Sequence, residues 1–168
     1  MDVAVKTRGN TANPKITPIR TVGIIGAGQM GSGIAHVVAL AGFDVTMNDL
    51  KKEAVDKALA NIRKNMMRQV SRGAIKDGDM QTAMGRISHA PTFDALASCD
   101  LVIEAATEEE AIKRRIFAEL CPKLKKEAIV ASNTSSISIT RLAAGTDRPE
   151  LFIGMHFMNP VPVMRLVE

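Results

Sequence analysis

A doubly wound α/β fold, with a mostly parallel sheet covered on both faces, is predicted by three observations. From Arg20 onward, short apolar runs alternate with stretches of high helical propensity, the order that builds parallel strands joined by crossover helices. A glycine turn, Gly26-Ala27-Gly28-Gln29-Met30-Gly31, stands between the first run and the first helical stretch. Polar or glycine-bearing segments follow the later runs, and in an open parallel sheet such segments gather at one edge, outside the carboxyl ends of the strands.

The elements follow in order. Thr21 to Gly26 is a short apolar run bounded by glycine, which suits a buried parallel strand, and a helix is predicted from about Gln29 to Ala41. Phe43 to Asn48 completes a βαβ unit. Alanines, lysines and methionines give a long helix from about Leu50 to Val70, ended by Arg72-Gly73. Asp77 or Asp79 caps a second short helix through Met84. This helical pair exceeds what a crossover needs and is expected to project. Arg86 to His89 and Asp100 to Glu104 are strands. Thr107 is expected to cap the next helix, with Glu110 three residues on completing a capping box and Lys113, Arg114 and Arg115 one turn later. Ala128 to Ser132 is a strand, Ser138 to Ala144 a short helix, and Leu151 to Met155 the last strand.

Composition narrows the classes of function. The 168 residues suffice for one domain with a real core, here assigned to residues 19–168, and residues 1–18 are polar and expected to be a flexible leader. With five Phe and neither Trp nor Tyr, stacking platforms for nucleic-acid bases are nearly absent, so no nucleic-acid partner is expected. No run reaches the roughly 20 apolar residues that span a bilayer, so no membrane partner is expected. Cys99 and Cys121 stand in neither metal-ligand nor CxxC spacing. They read as free buried thiols of a reducing, cytoplasmic compartment, and no metal is expected. The net charge of +4 suits an anionic ligand or an ordinary mixed surface equally.

The chemistry concentrates at the ends of the predicted strands. In the glycine turn, Gly26 allows the tight turn, Gly28 lets a pyrophosphate approach the backbone, and Gly31 lets helix and strand pack closely. Asp49 closes the second strand eighteen residues after Gly31. Such an acid accepts from adenosine ribose hydroxyls and repels a 2′-phosphate, favouring NAD over NADP, although Lys51 and Lys52 weaken that exclusion. Near the end of the chain, His156 and Glu168 form a candidate proton-handling pair. Asn133-Thr134-Ser135-Ser136 follows another strand. Plainer readings stand beside these: Ser135 as a helix cap, Asn159-Pro160 as a turn, Glu108 as first-turn helix electrostatics, His36 and His89 as surface or packed residues.

The blocks Gly26–Gly31, Ala131-Ser132-Asn133-Thr134-Ser135-Ser136 and Gly154-Met155-His156-Phe157-Met158-Asn159-Pro160-Val161-Pro162 resemble the 3-hydroxyacyl-CoA dehydrogenases, in particular their short monofunctional, 3-hydroxybutyryl-CoA dehydrogenase-like members. The resemblance covers about Ile19 to Glu168. It departs at Met158, where Phe is usual, and at Glu109-Glu110, where an Asn-Leu type pair is common. It implies a Rossmann-type NAD-binding domain, NAD as cofactor, an acyl-CoA substrate and, for the full-length family, a homodimer. By the same resemblance, His156 is the general base, Glu168 its partner, and Ser135 a contact to the substrate oxygen and the nicotinamide side of the cofactor. Asn159 and Lys113 help hold NAD, and Glu108 lies near the nicotinamide ribose. The basic face of Arg63, Lys64, Arg68 and Arg72 is either solvated or close to the CoA moiety. The family's C-terminal helical domain is expected to be absent here, and Glu168, as the last residue, is expected to fray. Two further readings stay open: an isolated NAD-binding module with little turnover, and a non-enzymatic, crystallin-like derivative.

Overall fold

The structure is a computed structural model and describes residues 18–168; all but the last residue of the expected leader lies outside them. Six parallel strands form one sheet in the order β3-β2-β1-β4-β5-β6: β1 (Thr21–Ile25), β2 (Asp44–Asn48), β3 (Ile87–Ala90), β4 (Leu101–Glu104), β5 (Ile129–Ser132) and β6 (Phe152–Gly154). Every neighbouring pair is parallel. The order reverses direction between β1 and β4, the switch point of a doubly wound sheet.

Alternation along the strands feeds two cores. Val22, Ile24, Val45, Met47 and Ile103 face α1 (Gln29–Leu40), α2 (Lys52–Ser71) and α3 (Asp77–Gly85). Ile25, Val102, Val130 and Phe152 face α4 (Glu110–Leu120) and α5 (Ile139–Ala143), where Phe117 meets Phe152 edge-on at 4.9 Å between ring centroids. Each fully buried aliphatic or Phe side chain contributes on the order of 1.5–3 kcal/mol, so the two faces together hold the sheet rigid beneath its loops. The α2–α3 pair, expected to project, seats Val55, Ala58, Ile62 and Met66 against α1 and turns Arg63, Lys64, Arg68 and Arg72 to solvent.

Three local expectations need correction. The capping box at Thr107 does not form: α4 begins at Glu110 with Glu109 as N-cap, because residues 105–109 are used as an extended loop that carries Glu108 across to Thr134 and Ser136. The last strand starts later than Leu151, since Pro149 opens a single 3-10 turn over Pro149–Leu151. Helix α3 is stapled by Asp79, whose carboxylate accepts from the Lys76 N–H at 3.1 Å; Asp77 is its first helical residue.

Candidate active site

All the segments singled out above lie at the carboxyl edge of the sheet, because all six strands run the same way. The glycine turn leaves β1 with Gly26 at φ +100°, a conformation that L side chains resist. A Cβ there would come within 2.5 Å of the Ala105 carbonyl oxygen, and a Cβ on Gly31 would collide with the Gly26 carbonyl oxygen. Gly28 is different: a Cβ on it would meet nothing within 4 Å. The surface above Gly28 is open, and α1 starts there with no side-chain cap and no acidic residue in its first turn. A bare helix N-terminus facing an open approach is what a pyrophosphate requires. Asp49 is half-buried beside it and braces the turn. Its Oδ2 accepts from the Ala27 N–H at 2.8 Å, and its Oδ1 accepts from the Lys51 N–H at 3.2 Å.

Two clefts meet at this turn. One, of about 660 Å³, runs over Gly28 and Asp49 along α2 to Asn159 and Pro160. The other, of about 590 Å³, passes Asp49, Leu50, Phe93, Ile112 and Ile116 and is lined mainly by apolar atoms. These residues fit a dinucleotide: an apolar slot beside the Asp49 carboxylate, then an uncapped helix N-terminus.

A third cleft, of about 370 Å³, holds the rest of the predicted site: Glu108, Lys113, Ser135, His156 and Asn159 all line it. His156 follows β6, and its main chain exchanges two hydrogen bonds with Glu168, His156 N–H to Glu168 O at 2.8 Å and Glu168 N–H to His156 O at 3.0 Å. An antiparallel bridge between Phe157 and Val167 adjoins them. Glu168 is therefore held rather than frayed, the local ladder supplying what an exposed terminal side chain lacks. Its Oε2 stands 3.4 Å from His156 Nδ1, which leaves Nε2 as the ring nitrogen without that partner.

Ser135 is exposed on the cleft wall and does not cap a helix; Ser138 does, accepting from the Arg141 N–H at 3.3 Å. Asn159 accepts at Oδ1 from Gln29 Nε2 at 3.1 Å, tying the His156 loop to the first residue of α1. The same loop also turns at Pro160, whose carbonyl takes the Val163 and Met164 N–H groups, so the turn and the cleft position coexist. Behind it Gly33 lets α1 approach closely, for a Cβ there would sit 2.9 Å from Val161 Cβ.

Glu108 reaches between loops. Its Oε1 accepts from the Thr134 and Ser136 hydroxyls. Partial burial works against its charge, but those two hydroxyls and the Lys113 ammonium outweigh it and hold the carboxyl below the usual glutamate range. Lys113 is buried, with its ammonium on Glu104 at 2.7 and 2.8 Å. The sequence marks Glu104 and Asn133 only as members of strand-end segments and assigns neither a role of its own. Asn133 Oδ1 accepts from the Phe157 N–H at 2.8 Å and fixes the start of the His156 loop. A carboxylate closing the apolar run Leu101-Val102-Ile103-Glu104 was the one signal available for Glu104. His36 is packed, its Nε2 2.9 Å from Gln69 Oε1. The two cysteines are buried and free, and burial pushes both thiols up to about 11. Among the described residues no His, Cys, Asp or Glu cluster could hold a metal ion, and no helix is long and apolar enough to cross a membrane.

A parallel sheet with its switch point at a glycine turn, an acid beside that turn and a histidine–carboxylate pair on the same edge define a dinucleotide-binding domain of the NAD-dependent dehydrogenase class. The family profile described as "3-hydroxyacyl-CoA dehydrogenase, NAD binding domain" matches residues 21–168, and the chain belongs to that family. It is 61% identical over 150 residues to 3-hydroxybutyryl-CoA dehydrogenase of Bradyrhizobium diazoefficiens, covering 89% of this chain and 51% of that protein. The crystal structure of (S)-3-hydroxybutyryl-CoA dehydrogenase from Ralstonia eutropha matches with a TM-score of 0.87 at 47% identity, over 89% of this chain and 53% of that one. That of 3-hydroxybutyryl-CoA dehydrogenase from Escherichia coli K12 matches with a TM-score of 0.88 at 40% identity, over 90% of this chain and 32% of that one. The chain spans about half the length of the curated relatives it matches.

Proposed function

We propose that the chain is the cofactor-binding half of an enzyme that interconverts (S)-3-hydroxyacyl-CoA and 3-oxoacyl-CoA. The observation that carries this reading is the His156–Glu168 pair on a cleft shared with Ser135 and Asn159, one short step from the open surface over Gly28.

NAD, when bound, supplies the acceptor for the hydride that leaves C3 of the substrate. The residues of the chain do the rest. Asp49 accepts from the adenosine ribose hydroxyls, and the N-terminal amides of α1 face the pyrophosphate over Gly28. His156 takes the 3-hydroxyl proton at Nε2 as the C3–H bond breaks, and returns it in the reverse direction. Glu168, on Nδ1, fixes the tautomer in which Nε2 is free to accept and stabilises the imidazolium that results. The Ser135 hydroxyl donates to the substrate oxygen and steadies it beside His156. Asn159 and Glu108 serve the nicotinamide end of the cofactor, and Lys113 acts behind Glu108.

A second reading is a module that binds NAD with little turnover. The test is to mix the chain with NADH and acetoacetyl-CoA and follow the loss of NADH absorbance. Steady oxidation of NADH that vanishes in His156→Gln supports the dehydrogenase reading. Tight NADH binding without oxidation supports the module. Neither binding nor oxidation sinks both.

A further inference from the structure

We propose that Glu104 is a positioning residue: it clamps the Lys113 ammonium beneath the cleft floor, so that Glu108 rather than Lys113 presents the charged atom to a ligand. The inference rests on reading this cleft as the nicotinamide side of the cofactor site.

Glu104 ends β4 and is completely buried. An ionised carboxylate in such a place needs several hydrogen bonds, and three groups supply four. Lys113 Nζ donates to Oε1 at 2.7 Å and to Oε2 at 2.8 Å, the Ser132 hydroxyl donates to Oε2 at 2.6 Å, and the Ala106 N–H donates to Oε1 at 2.7 Å. These bonds join the ends of β4 and β5 and the first turns of α4 in one buried knot. Two of the three ammonium protons are spent on Glu104. The third has Glu108 Oε2 as its nearest charged neighbour, at 3.6 Å.

Lys113 itself is 1% exposed, whereas Glu108 is 46% exposed. A ligand in the cleft therefore meets the carboxylate first. Glu108 Oε1 is taken by Thr134 and Ser136, which leaves Oε2 to accept from a ligand hydroxyl, with the ammonium behind it keeping it ionised. The distance is what matters: the cation is near enough to hold the charge on Glu108 and too firmly tied to close on it. Without the charge of Glu104 the ammonium turns to Glu108, shortens that pair and takes up the oxygen the ligand needs.

Glu104→Gln tests this in two ways. In the cofactor-free chain, the Glu108 carboxyl followed by carbon-13 NMR is expected to titrate at lower pH in Glu104→Gln, since a repelling charge is gone and the ammonium is closer. NADH affinity is expected to fall about tenfold, the effect of losing one charged hydrogen bond to the ligand. In a Glu108→Gln background the same substitution is expected to change NADH affinity little, because its route runs through Glu108. An unmoved Glu108 titration, or losses that simply add in the double variant, overturns the proposal. Should Glu104→Gln not fold, Glu104→Gln with Lys113→Met removes both buried charges; Glu108 then titrates at higher pH, and no movement again overturns it. The titration needs no cofactor. Failure of the unsubstituted chain to bind NADH would count against the cofactor reading of the cleft, while the titration separately decides whether Glu104 governs Glu108.

Discussion

His156 and Glu168 exchange main-chain hydrogen bonds in both directions, at 2.8 and 3.0 Å, while their side chains meet at 3.4 Å between Nδ1 and Oε2. The carboxylate is thus delivered to the imidazole by backbone pairing, and its side chain needs only one rotamer to reach Nδ1. This arrangement separates the two partners' roles. His156→Gln is expected to lower kcat by roughly 10²–10⁴-fold, the range for loss of a general base, with NADH affinity nearly unchanged because His156 makes no contact with the glycine turn. Glu168→Gln keeps the ladder and is expected to cost roughly 10²-fold in kcat by loosening the tautomer. Stopped-flow reduction of acetoacetyl-CoA beside NADH fluorescence titration checks both. A loss of NADH affinity equal to the loss of kcat would mean that the pair is structural.

The glycines give a contrast within six residues. Gly26→Ala places a side chain at φ +100° and within 2.5 Å of the Ala105 carbonyl, and is expected to destabilise the domain by about 1–3 kcal/mol. Gly28→Ala meets nothing within 4 Å, so stability should stay within about 0.5 kcal/mol. The new methyl nevertheless stands where a pyrophosphate would lie, and NADH affinity should collapse. Urea unfolding and NADH titration of the two variants separate folding from binding. Intact NADH binding in Gly28→Ala would show that the open surface there does not take the phosphates.

Local chemistry made much of this site readable before the fold. Gly26, Gly28 and Gly31 announce their turn because backbone geometry within six residues dictates them, and Asp49 is read from its place at the end of the second strand. His156 stands at a strand end for the same reason. Glu104 was not legible as a buried acid, since its partners Lys113 and Ser132 arrive from α4 and β5 only when the sheet assembles. Asn133 was legible as part of a strand-end segment but its role was not, for an equivalent reason: its contact is the Phe157 amide, twenty-four residues away. The capping box at Thr107 was a sound local inference that lost to a long-range one, the hydrogen bonds of Glu108 to Thr134 and Ser136. The family resemblance implies Lys113 as a cofactor contact; in the structure its ammonium is engaged by Glu104 at 2.7 and 2.8 Å.

Stability should fall on acidification in two separate windows. Burial keeps the His36 imidazole below its ordinary value despite the hydrogen bond to Gln69. The unfolded chain therefore binds a proton near pH 6.5 that the folded chain refuses, and stability declines as pH drops through about 6.5. Asp100 acts lower. Burial opposes its charge, but the Lys125 ammonium and the Thr21 and Arg20 N–H groups hold its carboxyl well below the carboxylate range. Its contribution is present above about pH 4 and is lost as pH falls further, because the unfolded state is protonated first. Thermal melts from neutral pH downward should show both declines. His36→Gln should flatten the upper one and Asp100→Asn the lower; a His36→Gln variant with the same slope near pH 6.5 would assign that decline to another group.

The Ala27 amide on Asp49 constrains how cofactor choice can be altered. Asp49 Oδ2 accepts that N–H at 2.8 Å, so the carboxylate braces the glycine turn as well as being the group proposed to accept from the adenosine ribose. Asp49→Ala removes the brace and should weaken NADH and NADPH alike, which would say little about discrimination. Asp49→Asn keeps an oxygen for the Ala27 N–H, gives up the longer bond from the Lys51 N–H and removes the charge. NADPH affinity relative to NADH should then rise about tenfold, the repulsion of a 2′-phosphate having been relieved. Lys51 and Lys52 follow in sequence, and each adds positive charge near the position that the 2′-phosphate would occupy. Adding Leu50→Arg to Asp49→Asn should carry the preference further, since Leu50 is fully exposed and lines the cleft beside Asp49. Competitive titration of the two cofactors against each variant measures the ratio. An unchanged ratio in Asp49→Asn would place the ribose away from Asp49 and would require the dinucleotide to lie in another register across the turn.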